Sequence, residues 1–233
     1  MGEATANQPK CLTQLNGKTL LDWQLDALRK AGVNDITVVR GYKSDLLEGT
    51  FDVCNNIRWN ETNMVSSLFC VEKLTATSIV SYSDITYKSD HINKLMSAEG
   101  DIVITADLLW RDLWSLRFEN PLDDAETFKS VNGKLTEIGG KTENLSEIEA
   151  QYMGLLKITA NGWDMLHELF SSLSIEEQDK MDMTTMLNEL LKREIHVNVV
   201  FIEGGWCEAD NWSDITAYEA QLSRDKMWTH NWA

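Results

Sequence analysis

The chain is poor in proline, with only Pro9 and Pro121 in 233 residues. That excludes proline-rich spacers and permits long uninterrupted elements. Long apolar runs are missing too. No stretch approaches the roughly 20 apolar residues that a bilayer span needs, and the N-terminus has no secretory pattern. Positive charge is scarce: 21 Lys and Arg face 37 Asp and Glu, for a formal net charge of −16. Such a surface repels nucleic-acid phosphates and anionic lipid, so neither is expected as a partner. Cys11, Cys54, Cys70 and Cys207 include no C-x-x-C pair. They read as buried thiols in a cytoplasmic setting rather than as a disulfide framework. Of these, Cys207 stands closest to acidic residues. His91, His167, His196 and His230 are isolated, which argues against a histidine metal site.

What is present is the composition of a globular protein, 43% hydrophobic and 25% charged. A chain of this length buries roughly 70% of its unfolded surface and fits one domain over residues 1–233. Leu21, Leu25 and Leu28 recur at helical spacing ahead of Gly32, a natural helix stop. Asp35–Gly41 then reads as a buried strand. A strand at Asn56–Trp59, a helix from Asn63 to Leu74, a strand at Ser78–Tyr82, a helix over Ser89–Ala98 and a strand at Asp101–Thr105 come next. Strands alternating with helices predict a three-layer α/β fold. Later, Glu126–Ile138 alternates across Asn132-Gly133, a strong hairpin signal. A strand at Tyr152–Thr159 precedes helices over Asn161–Leu173 and Met183–Arg193, the second capped by Asp182. Val197–Glu203 and Asp214–Leu222 supply a last strand and helix. Hairpins within a parallel framework make the sheet mixed, but mostly parallel.

Ligands of open α/β sheets collect at the carboxyl ends of parallel strands. Asp84 closes Ser78-Ile-Val-Ser-Tyr-Ser-Asp84, and Asp210 comes after the strand Val197–Glu203. Two carboxylates from distant strand ends suit Mg²⁺; each also suits a turn or a helix cap. Lys10, stiffened by Pro9, could face a phosphate or solvent. Asn63 could cap its helix or touch substrate, with Ser67 on the same face. Gly139-Gly140-Lys141 could clamp a phosphate or simply turn. Asp123-Asp124 reads as solvated loop. Nine tryptophans are many for this length, and aromatic faces beside acids suit an alkylammonium ligand.

Taken together, Gln8-Pro-Lys-Cys-Leu12, the run from Leu15 to Gly32, Val39-Arg-Gly-Tyr-Lys43, Thr62-Asn-Met-Val-Ser-Ser-Leu68, Ser81-Tyr-Ser-Asp-Ile85 and Glu208-Ala-Asp210 resemble the sugar-nucleotidyltransferase-like superfamily. Within it they look most like cytidylyltransferases acting on phosphocholine and 2-aminoethylphosphonate. The resemblance covers nearly the whole chain and implies a Rossmann-like sheet. It also implies transfer of a nucleotidyl group from CTP or another NTP to a small phosphate or phosphonate acceptor, with release of pyrophosphate. Asp84 and Asp210 match the Mg²⁺-binding aspartates and Lys10 the phosphate-contacting lysine. Asn63, Ser67, Lys141 and Glu208 are the matching candidates for substrate contact.

That superfamily opens with a strand and a glycine-rich loop, Leu-Ala-Ala-Gly-x-Gly-x-Arg-Met. Here Met1-Gly2-Glu3-Ala4-Thr5 corresponds to the last residue of that loop and the stretch immediately after it. The expectation is that the first strand and most of the loop are missing. The alternatives are a sugar-1-phosphate nucleotidyltransferase and a non-catalytic nucleotide-binding relative. Homo-oligomerisation stays open.

Overall fold

The computed structural model describes residues 6–233. A 3-10 turn at Lys10–Leu12 leads into a tight hairpin of β1 (Gln14–Leu15) and β2 (Lys18–Thr19), which runs straight into helix α1 (Leu20–Lys30). Thr19 and Asp22 close a capping box at the start of α1, satisfying donors that a helix N-terminus otherwise leaves unpaired. Next come β3 (Thr37–Arg40), β4 (Asp52–Asn55), the short α2 (Met64–Leu68), β5 (Ser78–Ser81), β6 (Ile85–Tyr87) and α3 (Ser89–Ser97). The middle of the chain supplies β7 (Ile102–Asp107), α4 (Trp110–Arg117), β8 (Phe128–Val131), β9 (Lys134–Ile138) and β10 (Gln151–Ile158). It closes with α5 (Ala160–Ser171), α6 (Ile175–Lys180), α7 (Met183–Lys192), β11 (Asn198–Ile202), β12 (Trp206–Glu208) and α8 (Trp212–Arg224).

Six strands form the central sheet in the order β5-β10-β7-β11-β9-β8. All six residues of β7 are buried, as expected of a strand covered on both faces. Its alternate residues serve two cores. Ile102, Ile104 and Ala106 pack with Trp163, Leu166, Leu187 and Leu190 from α5 and α7. Val103 points the other way, into a cluster with Leu28, Ile92, Leu113 and Ile215 from α1, α3, α4 and α8. This period of two places helices on both faces, so the three-layer α/β architecture with a mixed sheet is the observed one.

The parallel share of the sheet is smaller than expected. In the central sheet β7–β11 is parallel, while β10 pairs antiparallel with both β5 and β7 and β9 with both β11 and β8; the parallel pair β3–β4 forms a separate two-stranded sheet. Strand–helix alternation reports direction but not adjacency: β5 and β7 do run the same way, and β10, later in the chain, inserts between them. The hairpin β8–β9 turns on Asn132 and Gly133, with φ of 53° and 72°, the geometry Asn-Gly favours. A bulge lies between Tyr152 and Leu156 of β10. Gly154 sits in it at φ 76°, where a Cβ would come within 2.6 Å of the Tyr82 ring.

Three of the differences from the sequence reading concern residues proposed for the site or their neighbours. The strand expected at Asn56–Trp59 is β4, ending at Asn55, and Asn56 instead bonds the Thr62 and Ser67 side chains to close a turn. The helix expected to reach Leu74 stops at Leu68. Asp84 lies beyond β5, in the turn to β6.

The C-terminal segment returns to the core. The His230 ring is fully buried with its Nε2 2.9 Å from Asp107 Oδ2, and Asp107 also accepts bonds from Trp206 Nε1 and from the backbone N–H groups of Gly204 and Leu109. Burial opposes the charge on Asp107, yet this set of donors holds its carboxyl below the usual range. Removing a partner from a buried charge costs about 3–5 kcal/mol. His230→Ala is therefore expected to lower the unfolding free energy in urea by about 3 kcal/mol; a loss below about 1 kcal/mol would show that the pair does not anchor the C-terminal segment.

Candidate active site

β5, β7 and β11 share one direction, so their carboxyl ends lie on one edge of the sheet. The amino end of β10 reaches the same edge, with Gln151 opposite Asp107. Beyond that edge β6 and β12 pair antiparallel, with Ile85 opposite Glu208. The ladder continues one residue further, where the Ala209 N–H donates to the Asp84 carbonyl at 2.9 Å. From α1, the buried Gln24 donates to the carbonyls of Tyr82 and Ile85, which pins the turn that carries Asp84. Carboxylates 126 positions apart in sequence are thus neighbours because two three-residue strands pair.

One oxygen from each of Asp84, Glu208 and Asp210 lies within 4.8 Å of the others. Two cations hold this group together. Lys10 Nζ bridges Asp84 Oδ2 at 2.7 Å and Asp210 Oδ1 at 2.5 Å. Arg117, whose side chain is 0% exposed, donates through Nη1 to Glu208 Oε2 at 2.9 Å and through Nη2 to Asp210 Oδ2. Its Nε lies 3.7 Å from Asp214 Oδ1. Asp214 Oδ2 in turn accepts from the N–H groups of Asp210 and Asn211, capping α8.

The electrostatics follow from burial against these contacts. Burial lowers the affinity of Lys10 for its proton, but Asp84 and Asp210 more than offset that and raise it. Burial pushes Asp210 up, while bonds to Lys10 and Arg117 bring it below its ordinary value. Glu208 goes the other way. Burial, opposed by Arg117 and reinforced by Asp84 and Asp210, lifts it to about 7. Asp84 Oδ1 is buried and has no hydrogen-bond partner. A small cluster of hard oxygens with one such unsatisfied oxygen is the donor set a divalent cation such as Mg²⁺ takes.

Beside the carboxylates lies a cavity of about 240 Å³, reached from Glu208 and walled by Tyr82, Trp114, Tyr152, Asp124, Glu126 and Asp182. Trp114 donates Nε1 to Asp124 Oδ2 at 3.0 Å. Glu126 is raised by burial. The cavity wall is therefore in good part aromatic and acidic.

The site brings Lys10, Asp84, Glu208 and Asp210 together. It does not bring Asn63 or Ser67 into their company. Asn63 caps α2 and donates to the Lys180 carbonyl, and Ser67 accepts from Asn56. Lys141 Nζ donates to the Asp124 carbonyl near the cavity. Cys207 is buried and lies against Thr86 Oγ1 at 3.2 Å, turned from the carboxylates flanking it. Asp124, read from sequence as loop, lines the cavity because Pro121–Asp123 forms a 3-10 turn. Sequence pattern alone does not single out Arg117. Its helix, α4, has tryptophans at both Trp110 and Trp114, and an arginine in that setting stacks readily on aromatic faces. That pairing is the one signal the sequence offers for it. Met1–Thr5, where the family's glycine-rich loop would join, lie outside the described residues. Among the described residues no helix is long and apolar enough to cross a membrane.

The elevated Glu208 has a consequence for stability. Its carboxyl rises from about 4.5 unfolded to about 7 folded, so the native state holds the extra proton between those values. The associated stability is complete below pH 4.5 and is lost as pH rises through 7. In chelator, the wild-type unfolding free energy should fall more steeply from pH 5 to pH 8 than that of Glu208→Gln. Parallel curves would mean that Glu208 ionises normally.

A model of the MobA-like NTP transferase domain matches residues 1–111. CTP:phosphoglutamine cytidylyltransferase of Campylobacter jejuni is 36% identical over 242 aligned positions, covering 94% of this chain and 93% of that protein. Choline-phosphate cytidylyltransferase of Streptococcus pneumoniae is 34% identical over 85 residues, covering 34% of this chain and 37% of that one. Among solved structures, the inositol-1-phosphate CTP transferase of T. maritima superimposes with a TM-score of 0.73 at 18% identity, covering 94% of this chain and 88% of that chain. With the sheet edge and its carboxylates already placed, the near full-length match to the first of these relatives shows that the chain belongs to the MobA-like family of nucleotidyltransferases and is an enzyme of that class.

Proposed function

We propose that the protein transfers a cytidylyl group from CTP to a small phosphorylated or phosphonate acceptor that carries an amine, releasing pyrophosphate. The observation that carries this reading is the contact between the Lys10–Asp84–Glu208–Asp210 cluster and the acidic, aromatic cavity. A nucleotide phosphate beside the cluster and an acceptor in the cavity would be in line to react. The cytidylyl donor and phosphorylated acceptor of the Campylobacter and Streptococcus relatives support it. The −16 chain and the acidic wall favour an acceptor whose far end is cationic.

In this reaction an oxygen of the acceptor phosphate or phosphonate bonds to the α-phosphorus of CTP while the bond to pyrophosphate breaks. The attacking oxygen is already anionic, so no protein base or nucleophile is needed, and catalysis is positioning plus charge neutralisation. Asp84 and Asp210, with Glu208 beside them, would hold Mg²⁺, which when bound neutralises charge on the phosphates. Lys10 would turn from the carboxylates toward a phosphate oxygen, and Lys141 stands by the cavity wall through its bond to the Asp124 carbonyl. Tyr82, Trp114 and Tyr152 exclude water from the acceptor's apolar part, and Asp124, Glu126 and Asp182 face its ammonium.

The test is pyrophosphate release with CTP and Mg²⁺ against phosphocholine, phosphoethanolamine, 2-aminoethylphosphonate, phosphoglutamine and a sugar-1-phosphate. Turnover is expected with an amine-bearing acceptor, falling about 10²-fold or more in Asp84→Asn. Glu126→Gln should raise KM for that acceptor about tenfold while leaving KM for CTP unchanged. Preference for the sugar-1-phosphate, or silence with the whole panel, would sink the proposal.

A further inference from the structure

We infer that Arg117 is the positioning residue of the carboxylate site: its buried guanidinium holds Glu208 and Asp210 toward Asp84, setting the affinity of the cluster for a divalent cation. This rests on the metal reading given above and goes beyond it by assigning the group that shapes the site. Arg117 touches neither the cavity nor Asp84. Its Nη1 bonds Glu208 at 2.9 Å, its Nη2 bonds the Asp210 oxygen that Lys10 leaves free, and its Nε faces Asp214 at 3.7 Å. The planar fork bonds its two carboxylates in a fixed mutual orientation, which an ammonium on a flexible stem, although it can bridge two oxygens as Lys10 does, cannot impose. The fork itself is fixed, with its carbon centre 5.2 Å from the Trp114 ring and 5.0 Å from the Phe118 ring and no exposed side-chain surface.

The placement of the neighbours argues for orientation rather than charge alone. Glu208 is the last residue of β12, and Asp210 lies just beyond it. Asp210 has half of its carboxylate on Lys10 and half on Arg117. Lys10 must release its oxygen for a cation to take it, whereas Arg117 bonds the far oxygen and can stay. Arg117 therefore keeps Asp210 and Glu208 aimed while Lys10 exchanges. Removing a partner that orients metal ligands typically weakens a metal about 10- to 100-fold.

The experiment is Mn²⁺ titration of the full chain followed by electron paramagnetic resonance, with thermal unfolding of each variant alongside. In Arg117→Lys the charge stays and the fork is lost. Mn²⁺ should bind about tenfold more weakly, with an unfolding midpoint close to wild type. Wild-type affinity in Arg117→Lys would overturn the inference, since charge alone would then suffice. If that variant does not fold, Phe118→Leu takes its place, because it keeps the fork but removes one face that holds it. A weakening of about threefold is then expected, and unchanged affinity overturns the inference. A wild-type protein that binds no Mn²⁺ at all would instead overturn the metal reading, and this inference with it.

Discussion

The site depends on the repulsion among three carboxylates that share one small, partly buried volume. Two unit charges 4 Å apart repel by about 4 kcal/mol in the dielectric of a protein surface. Asp84, Glu208 and Asp210 are gathered within 4.8 Å, and Asp214 lies just behind them. Their proximity is tolerated because Lys10 enters from the N-terminal turn while Arg117 enters from α4. Burial, reinforced by Asp84 and Asp210 and opposed by Arg117, lifts the Glu208 carboxyl to about 7, which reduces the charge gathered there. Each of these compensations is local, yet each comes from a different part of the chain.

The scaffold explains how such distant residues meet. The shared direction of β5, β7 and β11 sends three chain segments out at one edge. The β6–β12 ladder then closes two of those segments on each other, residue against residue. Behind them the Asp107 carboxylate binds Trp206 at the start of β12 and His230 near the C-terminus. Because Trp206 begins the strand that ends in Glu208, the final residues of the chain help hold a site two strand positions away. Tyr218 of α8 adds a second tether, donating to the Glu208 carbonyl at 2.7 Å.

Much of this was legible in the sequence. The helical spacing of Leu25 and Leu28, the Asn132-Gly133 turn and the buried run of β7 each report a local rule that the tertiary structure obeys, whereas Leu21 stays half-buried and Leu20 takes the core position. Asp84, Asp210 and Lys10 were visible because strand ends and Pro-Lys segments have positional meaning. What was not legible depends on long-range pairing. Nothing local announces that β10 will insert between β5 and β7, or that three-residue strands at Ile85 and Trp206 will pair. Arg117 lay in a short helix whose two tryptophans blurred the apolar stripe, and its value comes wholly from partners far along the chain. Asn63 takes the helix-cap role its position offered, and Ser67 accepts from Asn56 in the adjoining turn.

A strongly acidic protein that handles a polyanion faces a charge problem, and on the proposed reading the site answers it selectively. Its two cations are outnumbered by Asp84, Glu208, Asp210 and Asp214, so before any ligand arrives the edge of the sheet repels free phosphate. A divalent cation held between the carboxylates and the nucleotide phosphates would offset that repulsion at the point of contact. Lys10 would be released in the same event, and its ammonium would become available to the phosphates. On that reading the acidity that repels bare anions is the property that would draw in the cation accompanying a nucleotide. The same sign of charge, continued along Asp124, Glu126 and Asp182, would draw the amine end of the acceptor to the other side of the reacting phosphorus.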